Sequence, residues 1–413
     1  MNDAGMNRRE AVGRGCFVLY LKRILKGLLV LATIVCVLTL AWQYVYYPDN
    51  YDANRVSGFY QEPEKSLDVV LIGASDIGRA YCAGLAYRDY GIRSYPFVIN
   101  GDDVHVWKYQ LSEVLAHQKP DKIVIEVNGA LYSKEEEKKF HMYESAVSRL
   151  SETMPWSPRK LRMVQEYLRS SGNYGNALSL YWPLYANHAD WPGGVLSVFY
   201  RIQMNRTKYD FNGGVSTLRG FETLTGQKPI GPQQEIPSSY EAALDPEYER
   251  ALREFLSCCR KKGMTNILFI RAPHCLAAGD ERAKLMYGRS NRIGSIIEEY
   301  GYPYINFENH KDLPGIETPG DFYDSQHLKV SGMQKFTAYF SGYLLENGVN
   351  PKARKISPRR EQQWRRTVDY TERFLRRYDE LCRDGQQDTD LYETPELLEI
   401  LQGGQYAGKT NAQ

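Results

Sequence analysis

The sequence predicts an α/β protein: a three-layer arrangement of a parallel sheet with helices on both faces, a mostly helical insertion, and one apolar N-terminal helix. Three observations predict it. The runs LDVVLIG (67–73), SYPFVIN (94–100) and DKIVIEV (121–127) are continuously apolar over strand length, as strands covered on both faces are. Helical patterns separate them, and strands joined through helices pair in parallel. The same alternation resumes after residue 245, so the stretch between is read as an insertion.

Taken in order, residues 1–26 form a basic flank, with Arg8, Arg9, Arg14, Lys22, Arg23 and Lys26. Residues 27–47, GLLVLATIVCVLTLAWQYVYY, carry no formal charge and match the ~20 residues a helix needs to cross a bilayer. Trp42, Tyr44, Tyr46 and Tyr47 crowd the far end, as interfacial aromatics do. The one-sided basic flank then predicts a cytosolic N-terminus and an extracytoplasmic remainder. A cleaved signal peptide is the rival reading, disfavoured by the long apolar run and the absence of a small-residue cleavage site. Residues 48–66 read as a polar stalk.

The α/β region is expected over 67–350. Its helix VHVWKYQLSEVLAHQ (104–118) places Val106, Tyr109, Leu111 and Leu115 roughly on one stripe. The insertion, about 133–240, opens with SKEEEKKFHMYESAVSRL and continues through aromatic-rich pieces such as NALSLYWPLYANHADW. It is too long for a loop and has no strand period, hence the helical reading. Next come helix 245–263, closed by Gly263, strand NILFIRAP (266–273), helix 281–301 and strand PYINFEN (303–309). The turn DFYDSQHL (321–328) precedes a closing helix over 329–348, and 351–413 reads as an appended basic helix, solvated on its Arg-rich face, with a polar tail.

Composition narrows the function. The formal net charge of +2 lacks the electrostatic footprint of a nucleic-acid binder. The 32 tyrosines hint at a glycan-facing surface. Cysteine spacing matches neither a small-domain disulfide ladder nor a paired zinc site, so no metal is expected at His274 and Cys275.

The chemistry rests on two boundaries. Ser75, in LIGASDIGRAY, ends a buried strand and begins a helix, at the sheet edge where open α/β proteins place their sites. By itself it reads first as a helix cap. In DFYDSQHL, Asp324 and His327 stand three residues apart, so the Asp can orient the imidazole while its other nitrogen takes a proton from serine. Asp76 beside Ser75 suits a first helical turn but places like charge next to a serine alkoxide.

With these stretches the chain resembles the SGNH (GDSL-type) hydrolase superfamily, in particular membrane-anchored bacterial members similar to D-alanine transfer proteins and to the esterase-like partners of membrane-bound O-acyltransferases. The resemblance is carried by VVLIGASDIGRAY, by residues 90–127, by LYWPLYANHADW and by DFYDSQHLKVSGMQKFTAYF. It implies Ser75 as nucleophile, His327 as base, Asp324 as its orienting partner, and Gly101 and Asn128 as oxyanion donors with the Ser75 amide. The third block usually reads Gly-x-Asn, whereas this chain has EVNGALY. The implied activity is acyl-ester hydrolysis or O-acyl transfer without metal or organic cofactor. The implied partners are a cell-envelope polysaccharide or teichoic-acid-like polymer and a polytopic membrane-bound O-acyltransferase. The alternative is a non-catalytic envelope scaffold that keeps the fold.

Overall fold

The computed structural model describes residues 19–38, 51–182, 209–210, 215–216, 219–308 and 315–386, with isolated positions among and after these segments as far as residue 400. Its centre is a five-stranded parallel sheet of β1 (Val69–Ile72), β2 (Ser94–Pro96), β3 (Lys122–Glu126), β4 (Ile267–Arg271) and β5 (Tyr304–Asn306), in the order β2-β1-β3-β4-β5. All five predicted apolar runs supply these strands. A separate antiparallel pair of two-residue strands sets Tyr209–Asp210 beside Val215–Ser216.

Strand pleating divides the side chains between two cores. Val70, Ile72, Ile123, Ile125, Ile267 and Phe269 enter one, with Val56, Phe59, Trp107, Leu111, Leu150, Leu252 and Ile293 from covering helices. Val69, Leu71, Val124, Leu268 and Ile270 enter the other, against Ile77, Phe336, Phe340 and Leu344. The continuous hydrophobicity of the strands follows from this double covering. Each fully buried aliphatic or Phe side chain contributes roughly 1.5–3 kcal/mol.

Two expectations are corrected. Residues 48–66 were expected to be a polar stalk, yet Tyr51–Gln61 is a helix of the core. Val56 and Phe59 are fully buried, and Phe59 stacks on Phe97 with centroids 4.2 Å apart. Its polar content is neutralised over long range, since buried Arg55 binds Glu222, which also accepts from Arg79 at 2.9 Å. The C-terminal helix, Pro358–Arg383, is likewise more than an appendage. Trp364, Thr367, Thr371 and Phe374 are buried, and Phe374 and Leu375 join Cys82, Leu85, Val330 and Met333 in a third core.

The N-terminal expectation has a different outcome. Residues 19–38 form an exposed helix. Among the described residues no helix is long and apolar enough to cross a membrane. The described helix includes the charged Lys22, Arg23 and Lys26, while 39–47 of the expected span lie outside the described residues.

The switch in chain direction falls between β1 and β3, because the chain runs outward from β1 to β2 and then returns to β1's other side. Open parallel sheets form a crevice at the C-terminal ends of such strands. Here that edge carries Ser75 and Asp76 after β1, Glu126 and Asn128 at β3, Arg271 and His274 at β4, and Glu308 after β5. Gly73 permits the close approach of β1 to β3. Its φ is +152°, and a Cβ there would meet the Glu126 Cβ at 2.7 Å.

Candidate active site

Ser75 is the first residue of the short helix Ser75–Ala80, whose cap position is Ala74 and which has no side-chain cap. The cap reading therefore fails, and the hydroxyl is free for another partner. Ser75 Oγ lies 3.0 Å from His327 Nε2. His327 Nδ1 lies 2.9 Å from Asp324 Oδ1, which also accepts the backbone N–H of Gln326 and of His327, each at 2.9 Å. An ionised carboxylate only accepts, so Nδ1 carries the proton and Nε2 is left to accept from the Ser75 hydroxyl. Burial would push the Asp324 carboxyl up, but the imidazole and the two backbone donors outweigh it and hold the group below its ordinary range.

The loop carrying this pair is itself braced. Tyr323 N–H donates to the His327 carbonyl at 2.9 Å, Lys329 N–H donates to the Asp321 carbonyl at 3.0 Å, and the Lys335 ammonium binds Asp321 Oδ2 at 2.8 Å. Local hydrogen bonds thus set the positions of Asp324 and His327.

Behind the serine lies a buried cluster of charges. Asp76, 5% exposed, has Oδ1 3.6 Å from His327 Nε2 and Oδ2 3.0 Å from Arg271 Nη1. Arg271 Nη1 also reaches Glu126 Oε1 and Asn128 Oδ1, both at 3.1 Å. His274 Nε2 is 3.3 Å from Asp76 Oδ2, and its Nδ1–H donates to the Ala272 carbonyl at 2.7 Å with Glu308 Oε1 at 3.2 Å. Arg271 Nε lies 3.4 Å from Glu308 Oε1, outside hydrogen-bond geometry.

These contacts answer the concern over Asp76. Burial favours its neutral form, but His274, Arg271 and His327 outweigh burial and keep the carboxyl well below the ordinary range. Its charge is therefore present but compensated by Arg271 and His274, so the like-charge cost to a Ser75 alkoxide is much reduced. Glu126 behaves oppositely. Full burial, helped by Asp76 and opposed by Arg271, raises it to about 7. For His274, burial and Arg271 act downward, yet Glu308 and Asp76 prevail and raise it.

A cavity of about 310 Å³ opens beside the triad. Asp76, Arg271 and His274 line it with Ser325 and Gln326 of the His327 loop, while Met142, Leu276 and Met286 supply apolar wall. A larger surface groove, about 850 Å³, runs along Pro246–Lys261 but contains none of the triad residues.

Of the sequence-expected residues, Ser75, Asp324 and His327 come together. Asn128 lies on the same edge and lines the cavity, its Nδ2 3.3 Å from the Tyr132 hydroxyl. Gly101 has φ +64°, and a Cβ there would sit 3.1 Å from Met142 Cε, another cavity residue. Sequence reasoning passed over Arg271, Glu126 and Glu308, and weighed His274 only as a zinc ligand. The available signal was a charge closing each of two apolar strands, KIVIE and ILFIR. The cysteines described, Cys36, Cys82, Cys258, Cys259, Cys275 and Cys382, form no disulfide. Comparison of the chain with protein-family models and with curated proteins gives no match.

Proposed function

We propose that this protein is a serine esterase or O-acyltransferase of the SGNH type, held at the outer face of a membrane by the apolar stretch 27–47 and acting on acyl esters of a cell-envelope polysaccharide or teichoic-acid-like polymer. The observation that carries the reading is the relay Ser75 Oγ to His327 Nε2 at 3.0 Å and His327 Nδ1 to Asp324 Oδ1 at 2.9 Å. Support also comes from its place at the C-terminal edge of the sheet, beside a cavity.

In this reading Ser75 Oγ attacks the ester carbonyl as its proton passes to His327 Nε2, and Asp324 stabilises the imidazolium. The tetrahedral oxyanion accepts from the Ser75 and Gly101 amides and from Asn128 Nδ2. His327 returns the proton to the departing alkoxide, leaving an acyl-serine. Water, or a polymer hydroxyl, then gives its proton to His327 and attacks that acyl carbon. Collapse releases acid, or the new ester, and returns the proton to Ser75. A polytopic membrane-bound O-acyltransferase is the proposed acyl donor in the transfer version. The relay needs no metal or organic cofactor.

The test is fluorophosphonate labelling of the full-length chain in detergent micelles. Labelling is expected in the wild type and lost in Ser75→Ala and His327→Ala. Labelling that survives Ser75→Ala removes Ser75 as nucleophile, and an unlabelled wild type with intact folding favours the non-catalytic scaffold.

A further inference from the structure

Asn128, an oxyanion donor in this reading, has its carboxamide oxygen held by a side chain remote in sequence. The residue is Arg271. Its side chain is 4% exposed, and the one nitrogen Nη1 meets Asp76 Oδ2, Glu126 Oε1 and Asn128 Oδ1 at 3.0, 3.1 and 3.1 Å. A guanidinium only donates, so the amide atom facing it must be oxygen. That fixes the choice between the two carboxamide orientations, which are otherwise nearly equivalent in shape. The NH₂ group is turned the other way, where one proton meets the Tyr132 hydroxyl and the second remains for a ligand.

From this geometry we infer that Arg271 is a positioning residue for the oxyanion site: it holds the Asn128 carboxamide so that Nδ2–H faces the reacting carbonyl, and the same nitrogen couples that donor to Asp76 beside the nucleophile. The inference rests on the serine-hydrolase reading and adds to it a residue that acts through Asn128. Nη1 has two protons for three acceptors, so one contact is shared, and movement of any acceptor changes the hold on the other two. Glu126 and Glu308 keep the guanidinium itself in place, from β3 and from the segment after β5. The oxyanion donor is therefore oriented by the sheet edge through a side chain of β4.

The experiment is a double-mutant cycle on the full-length chain with p-nitrophenyl acetate as substrate, using Arg271→Lys, Asn128→Ala and both together. Lysine keeps the charge, but its shorter side chain cannot carry a donor to the position of Nη1, where the three acceptors meet. Asn128→Ala is expected to lower kcat by about 10²-fold with KM changed less than about threefold, as for loss of one oxyanion donor. Arg271→Lys is expected to lower kcat at least about tenfold in the wild-type background and less than about twofold when Asn128 is already Ala. Equal losses in both backgrounds overturn the role of Arg271, as does an Asn128→Ala variant with unaltered kcat. Should Arg271→Lys fail to melt cooperatively, Tyr132→Phe takes its place by removing the amide's other contact. Its loss in kcat is expected to be at least about tenfold smaller than that of Asn128→Ala. An equal loss overturns the inference. Wild-type protein that neither labels with fluorophosphonate nor cleaves the ester brings down the hydrolase reading and this inference with it. Labelled, active wild type with independent substitutions brings down only the inference.

Discussion

The two ends of the sheet each bury an arginine, and they use it differently. At the N-terminal end, Arg93 grips Asp68 in a bidentate pair, Nε to Oδ2 at 2.8 Å and Nη2 to Oδ1 at 2.7 Å. Its remaining donors reach the Pro351 and Arg354 carbonyls, and its own N–H returns to Asp68 at 3.0 Å. Every side-chain nitrogen there has an acceptor. At the C-terminal end, one Arg271 nitrogen serves three acceptors, while Arg271 Nε, His274 Nε2 and Glu308 Oε2 are buried without a hydrogen-bond partner. A completed pair holds elements together, whereas an incompletely satisfied network keeps polar capacity in reserve for the atoms beside it. Ser75 and His327 stand beside the second.

If the division is sound, substitutions should separate activity from stability by the end they touch. The largest expected effect is that of Ser75→Ala, which lowers ester hydrolysis by at least about 10³-fold while stability stays within roughly 0.5 kcal/mol. Hydrolysis rates and denaturant melts of the same preparation check both halves. Asp324→Asn comes next, with a loss of about 10²–10⁴-fold in kcat and a preserved fold, because the amide no longer fixes His327 with its proton on Nδ1. Retained activity in Asp324→Asn would leave His327 oriented by something other than Asp324.

Asp68→Ala is expected to reverse the pattern. It strands Arg93, 3% exposed in its side chain, and should cost about 3–5 kcal/mol of stability by urea unfolding. The kcat of the remaining folded protein should stay within about twofold. A variant of normal stability and low activity would dissolve the contrast between the two ends.

The sheet and the relay were both legible in the amino-acid sequence, for reasons that mark where such reading stops. Double-covered strands advertise themselves through runs such as VVLI and KIVIE, because every residue faces a core. Ser75, Asp324 and His327 lie at strand and helix boundaries, which turn and helix signals locate. The insertion of β3 between β1 and β4 had no local signature, since strand order depends on contacts between residues far apart. The helix Tyr51–Gln61 was missed for a related reason. Asp52, Asn54 and Arg55 look like stalk residues until Glu222, remote in sequence, neutralises Arg55. Arg271 and Glu126 were visible as charged strand ends, but their convergence on Asp76 and Asn128 required the register that sets Glu126 opposite Ile270, next to Arg271.

The smallest expected effect concerns the proton on Glu126. Its side chain is fully buried, and burial raises the carboxyl from 4.5 to about 7 despite the nearby Arg271. Between those values the folded chain holds a proton that the unfolded chain has released. The resulting stabilisation is complete below the unfolded value and is lost as pH rises through the folded one, with a slope of up to about 1.4 kcal/mol per pH unit. Asp76 acts with the opposite sign: its lowered carboxyl contributes above its unfolded value of 3.8, and that contribution fades as pH falls. His274, raised from 6.5, loses its own contribution as pH rises beyond that value. The window between pH 4.5 and 6 therefore isolates Glu126 within this cluster. Glu126→Gln preserves the shape and removes the titration, so unfolding free energy measured across that window should fall less steeply with pH than in the wild type. Equal slopes would mean that Glu126 is ionised in the folded protein. Arg271 would then face a full complement of anions, and the contrast with the completed Arg93–Asp68 pair would narrow to geometry alone.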